Sequence, residues 1–144
     1  MSHARLCYTP YVKEKEFINK VHKHLPKTIY RWKINDPYHG GVPDTYYSGP
    51  SNHCWIEYKY TEKLPSRDNS KIKFNLSEQQ RIWLKRQKEF NIFVYAVLAC
   101  KNQVYITENF DLKFITLKEF QKESIPFTMF VKGLTNFCLG ETND

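Results

Sequence analysis

The residues able to do chemistry cluster in two short runs, Gly41-Val42-Pro43-Asp44 and Trp55-Ile56-Glu57-Tyr58-Lys59. Glu57 and Lys59 are two apart. On a strand they project from one face, while Ile56, Tyr58 and Tyr60 turn to the other and can pack into a core. Charged side chains seldom sit among Trp, Ile and Tyr in mid-strand without a reason. If Asp44 begins the neighbouring strand, Asp44 and Glu57 face each other as two carboxylates. Such a hard, oxygen-rich pocket suits Mg²⁺, with Mn²⁺ as a substitute. An ion held there would acidify water and neutralise charge on a scissile phosphate. Lys59 beside it would orient that water, help take its proton or stabilise the developing charge. The expected chemistry is therefore metal-dependent phosphodiester hydrolysis, with Asp44, Glu57 and Lys59 as catalytic residues.

These side chains need elements to position them. Met1 to Pro10 reads as a loose lead-in. The apolar spacing of Phe17, Ile18, Val21 and Leu25 predicts an amphipathic helix over Tyr11–Leu25, ended by Pro26. Thr28–Ile34 reads as a strand and Asn35–Gly41 as a loop. Pro43–Ser48 and His53–Tyr60 read as a hairpin turning through Gly49-Pro50-Ser51-Asn52. Thr61–Asn75 is polar and basic and reads as a long mobile loop. A second helix is expected over Leu76–Phe90. The nearly all-apolar Ile92–Cys100 should be a central strand buried on both faces, followed by a strand over Gln103–Thr107. Thr116–Lys122 reads as a short helix and Pro126–Val131 as an edge strand. The order helix, three strands, helix, one or two strands describes an α/β (α+β) domain with a mixed sheet flanked by helices.

The pattern resembles the PD-(D/E)XK nuclease superfamily. Pro43-Asp44 supplies the PD, Glu57-Tyr58-Lys59 the ExK, and Gly41 the preceding glycine. Each motif occurs once, in the right order. A second D-x-K, Asp111-Leu112-Lys113, has no PD upstream and reads as an ordinary loop. The run Leu76 to Leu84 (LSEQQRIWL) is similar to the helix start of the VRR-NUC and Holliday-junction-resolvase-like branch, and the Asn91–Ala99 strand matches it in place and character. The resemblance spans about residues 11–107 of a single nuclease domain over 1–144, leaving 108–144 as an extension of unassigned role. It implies a restriction-endonuclease-like fold with an αβββαβ core. It also implies Asp44 and Glu57 as metal ligands, and the backbone carbonyl of Tyr58 as a further one. In this superfamily a first-helix glutamate often assists with the metal, and a helix glutamine matching Gln80 approaches the site. The resemblance further implies DNA as substrate, branched, flap or Holliday-junction DNA in particular, a homodimer, and a phage-type origin.

Several positions carry two readings each. At about 100° per residue, Glu14 falls on the apolar face of the first helix and Glu16 falls towards solvent. An inward carboxylate needs a partner, which the metal site would provide; otherwise Glu14 marks a frayed helix start favoured by the dipole. Gln80 is either a site residue or the second half of a Ser77-x-x-Gln80 capping box. Gly40 and Gly41 either let backbone approach a phosphate or allow a positive φ. Lys63, Arg67, Lys71 and Lys73 are candidate DNA contacts, or simply a basic loop. His39 is expected to be solvated, and His22 and His24 to lie on the surface. Arg81, Lys85 and Lys88 are expected on a solvated helix face, and Tyr46 and Tyr47 in packing.

A net charge of +7 favours a polyanionic partner. Four cysteines without a CxxC pair disfavour a zinc ribbon, and no apolar stretch approaches a membrane span. The expectation is a soluble, cytoplasmic protein (host cytoplasm if phage-encoded) that needs no nucleotide cofactor. Two other functions stay open. One is a non-catalytic DNA-binding or assembly module on the same fold. The other is an RNA-directed nuclease, since phosphate contacts do not separate DNA from RNA.

Overall fold

A computed structural model of the chain describes residues 2–34 and 40–140, with side chains described from residue 13 onward. The elements follow in the order α1 (Ser2–His24), β1 (Tyr30–Lys33), β2 (Thr45–Ser48), β3 (His53–Tyr60), β4 (Lys71–Lys73), α2 (Glu78–Glu89), β5 (Val94–Cys100), β6 (Gln103–Thr107), β7 (Phe114–Thr116), α3 (Leu117–Glu123), β8 (Ile125–Pro126) and α4 (Phe127–Leu139). A six-stranded sheet runs β1-β2-β3-β5-β6-β8. Only the central pair β3–β5 is parallel; β1–β2, β2–β3, β5–β6 and β6–β8 are antiparallel. This is the expected mixed sheet, and α1, β1–β3, α2 and β5 realise the expected core order.

Alternation along the central strands divides the apolar side chains between two faces. On one face α1 (Phe17, Ile18, Val21, Leu25) and α4 (Phe130, Leu134) pack on Tyr47, Ile56, Tyr58 and Val97. On the other, Leu84 of α2 and Phe120 of α3 pack with Phe74 on Val94, Ala96 and Leu98. β5 is thus buried on both sides, as its near-continuous apolar run predicts. Among the described residues, no helix is long and apolar enough to cross a membrane.

Three expectations about the elements are corrected. Helix α1 begins at Ser2 and continues through Pro10. An interior proline costs a helix about 3 kcal/mol, which weakens a helix without necessarily ending it. The stretch 61–75 is not one loop. Ile72, Phe74 and Leu76 are buried while Lys71, Lys73 and Asn75 are exposed, and β4 pairs with β7 in a separate two-stranded sheet. The lysines hid a period-two pattern. The edge strand expected over 126–131 is only the two-residue β8, and helix α4 follows it. Its Phe, Thr and Val content imitates a strand. Yet Phe127, Phe130, Val131, Leu134 and Cys138 recur with helical spacing and form its buried face. Gly140, in the left-handed conformation at φ 74°, ends it.

In the stripe Arg81, Lys85, Lys88, the two lysines are exposed as expected, Lys85 pairing with the exposed Asp111 at 3.0 Å. Arg81 is half-buried and donates to the carbonyls of Phe110 and Leu112, fastening α2 to the β6–β7 connection.

Residues after Thr107 therefore contribute to both faces of the core. Phe130 lies 3% exposed with its ring edge-on to Tyr58 at 6.3 Å. Phe130→Ala should cost about 3–5 kcal/mol in urea unfolding; a loss under about 1 kcal/mol would mean that α4 is not part of the core.

Candidate active site

The β2–β3 ladder ends at the pair Thr45–Ile56. The next position brings Asp44 opposite Glu57, and here side chains take over the work of the backbone ladder. The amide of Asp44 donates to Glu57 Oε1 at 3.1 Å, and the amide of Tyr58 donates to Asp44 Oδ1 at 3.3 Å. The carbonyl of Asp44 accepts from the amide of Ile34 at 2.8 Å, which ties the same residue to the end of β1. Below, Thr45 Oγ1 donates to the Ile56 carbonyl at 2.7 Å and fixes the register.

Glu57 is buried, only 3% exposed, and its second oxygen is also engaged. Gln80 Nε2 donates to Oε2 at 3.0 Å and Lys59 Nζ lies 3.2 Å from it. Gln80 reconciles its two readings. Its Oε1 accepts from the Ser77 amide at 2.9 Å, completing the capping box, while its amide nitrogen reaches Glu57. One side chain starts α2 and aims that helix at the site.

Glu14 comes from α1 and lines the same cleft, together with Asp44, Glu57, Lys59, Lys73 and Gln80. Helix α1 is held in register by a buried polar chain. His22 Nε2 lies 2.8 Å from the Tyr47 hydroxyl, which lies 2.8 Å from the Tyr58 hydroxyl. His22 is thus half-buried, a correction to its expected surface place. Burial, then the nearby Arg31 and Lys33, lower its pKa to about 4, so it is neutral here. Arg31 donates to the His22, Pro26 and Ile29 carbonyls, tying β1 to the carboxyl end of α1.

Burial dominates the electrostatics. It raises Asp44 well above the usual carboxylate range, and the charges of Glu57 and Glu14 push the same way. It raises Glu57 too, against the pull of Lys59 and the hydrogen-bond donors. Glu14 is raised to about 7, again chiefly by burial. These three carboxylates disfavour one another's ionisation, and a bound cation would relieve that strain. The donor set, all oxygen and ringed by polar groups, fits a hard divalent ion. Among the described residues no three His, Cys, Asp or Glu side chains converge as a closed cluster. The fit therefore rests on Asp44 with Glu57, Glu14 lining the same cleft, and leaves room for water and a phosphate oxygen in a volume of about 480 Å³.

The other candidates separate clearly. Lys73 lines the cleft. Lys71 instead covers the Phe114 ring, 4.3 Å from its centroid, and Lys63 and Arg67 are exposed on the segment before β4. Gly41, at φ 96°, is buried. A Cβ there would come within 2.6 Å of the Gln79 carbonyl, and one on Gly40 would meet the Gln79 side chain. Their close approach is to the first turn of α2, which sets residues 40 and 41 against the helix carrying Gln80. His39 lies outside the described residues. Glu16 is exposed, near Lys13. Asn75, Ile34 and Leu98 also line the cleft, unforeseen because they reach it from elements remote in sequence.

The folded protein binds protons that the unfolded chain releases, since the folded pKa of Glu14 lies above its ordinary 4.5. The stability linked to this group is fully present below about pH 4.5 and is lost as pH rises through 7. Melting in EDTA should therefore show Glu14→Gln gaining on the wild type as pH rises from about 5 to 8. A constant gap between the two would contradict the burial of Glu14.

No protein-family model matches the chain, and no curated protein matches it significantly. Among solved structures it is similar to Hjc of Archaeoglobus fulgidus, a Holliday junction resolvase from an archaeal hyperthermophile. The two are 13% identical with a TM-score of 0.50, over 85% of this chain and 97% of that one. At that identity the likeness is one of fold: this chain has a resolvase-type, restriction-endonuclease-like fold, a central mixed sheet flanked by helices.

Proposed function

We propose that this chain is a divalent-cation-dependent endonuclease of the PD-(D/E)XK type, acting on branched, flap or Holliday-junction DNA. The observation that carries the reading is the convergence, in one cleft, of Asp44, Glu57 and Lys59 from paired strands with Glu14 and Gln80 from the helices on either side. Every one of these positions belongs to the sequence pattern. The fold and the LSEQQRIWL run of α2 point to the resolvase-like branch.

Asp44 and Glu57 would hold Mg²⁺ or Mn²⁺, with Glu14 assisting. The Tyr58 amide turns to Asp44, and in a strand the carbonyl of the same residue faces the same edge, so it can join the ligand set. When bound, the ion supplies charge neutralisation at the phosphate and acidification of water.

The chain's own residues do the remaining work. Glu57, held by the Asp44 amide and Gln80, fixes the ammonium of Lys59 at the cleft wall. From there Lys59 orients the attacking water in line with the leaving oxygen and stabilises the charge that develops on the phosphoryl oxygens. Lys73, across the cleft, draws in the phosphate backbone. A junction presents paired scissile strands, so on that substrate the protein would act as a homodimer with two sites.

The test is cleavage of labelled four-way junction, flap, linear duplex, single-stranded DNA and structured RNA, with Mg²⁺ or Mn²⁺ and with EDTA. Cutting of branched DNA should require metal and fall on the order of 10²-fold or more in Asp44→Ala and in Lys59→Ala. Metal-indifferent binding with no cutting would leave a binding module instead, and preferential cutting of RNA would move the substrate.

A further inference from the structure

The face of the sheet that carries the acidic pair carries a second feature that the hydrolytic site does not use. Register places Trp32 of β1 opposite Tyr46 of β2, and Tyr46 opposite Trp55 of β3. Tyr46 and Trp55 lie two residues from Asp44 and Glu57 on their strands, so all four project from one face. Strand register sets Trp32 beside a row in which Tyr46, Trp55 and Trp83 are in ring contact. Tyr46 and Trp55 centroids are 4.7 Å apart, and Trp83 of α2 meets Trp55 edge-on at 5.3 Å. His53 joins from below, 5.8 Å from Tyr46.

Helix α2 closes the row at Trp83. Over β2 and β1 the row is open: Trp32 is 49% and its neighbour Tyr30 58% exposed. Large aromatic side chains left in water beside a polar cleft are costly surface. The opposite face of the same two strands behaves ordinarily, with Thr45 and Tyr47 buried under α1.

We propose that Trp32 and Tyr46 form a stacking platform for unpaired bases of the DNA strand whose phosphate occupies the cleft, so that the site takes DNA with unpaired nucleotides next to the cut. The inference rests on the nuclease reading for the position of that phosphate. Two residues along a strand is about 6.6 Å, so a phosphate between Asp44 and Glu57 leaves an adjacent nucleotide over the aromatic row. Exposed aromatic faces accept any base, because every base has a π-face. A paired duplex keeps those faces in its own stack and cannot present them without unstacking. Charge agrees with this occupant at the level of the chain, which carries +7, and the exposed Lys73 stands in the adjoining cleft.

The test is binding rather than cutting. A labelled oligothymidine and a blunt duplex of equal length are titrated by anisotropy in EDTA at one fixed salt concentration. The wild type, Trp32→Ala, Tyr46→Ala and Trp32→Phe are compared. Each alanine variant should weaken oligothymidine binding about tenfold while changing duplex binding less than about twofold, and Trp32→Phe should keep most of the affinity. Unchanged affinity in Trp32→Ala, equal loss on both ligands, or no binding of oligothymidine by the wild type would each overturn the proposal. Trp32 is exposed, so its two variants decide the matter even if Tyr46→Ala fails to fold. Because no metal is present, a protein that binds as expected but never cuts would sink the nuclease reading alone. One that cuts normally with unaltered binding in Trp32→Ala would sink the platform alone.

Discussion

Two carboxylates face each other where the β2–β3 ladder stops, and much of the surrounding structure answers to that confrontation. The Glu57 side chain accepts from the Asp44 amide and the Asp44 side chain from the Tyr58 amide, so each carboxylate is fixed by the strand of the other. In a poorly solvated place this arrangement repels itself, and both groups are driven towards holding protons. The surroundings supply partial compensation: Lys59 and Gln80 on Glu57. They do not supply a full counter-charge at Asp44. A group of acids held this way is poorly suited to stability alone, which is the ground for the proposed cation.

The supporting frame follows from the same need. Glu14 must reach the cleft from a helix on the far side of the sheet, and the His22–Tyr47–Tyr58 chain holds that helix to β2 and β3. Gln80 must reach it from the near side, and its place in the α2 capping box sets where that helix starts. Gly40 and Gly41 lie directly on that first turn. The carboxylate pair is thus clamped from both layers by residues whose other role is to begin or hold a helix.

Much of this was legible in the residues. Asp44, Glu57 and Lys59 were readable because alternation on β3 sends charge to one face and Ile56 and Tyr58 to the other. The inward place of Glu14 followed from helix periodicity. Other parts were not legible, for physical reasons. The run through β4 alternates lysine with Ile72 and then Phe74 just beyond the strand, and its charge outweighed its period. Helix α4 is built from residues that favour strands, and only burial on the sheet decides its form. The aromatic row joins Trp32, Tyr46 and Trp55 across three strands. A residue-by-residue reading could only call Tyr46 packing, because the row exists solely through the strand register.

The central claim is that the carboxylates of the cleft are held for a divalent cation, and calorimetric titration of Mn²⁺ into the protein at slightly alkaline pH tests it most directly. Saturable binding accompanied by proton release, and lost in Glu57→Gln, is the predicted result, since acids raised by burial and mutual repulsion must give up protons to take the ion. No saturable binding, or binding that persists unchanged in Glu57→Gln, would contradict the account.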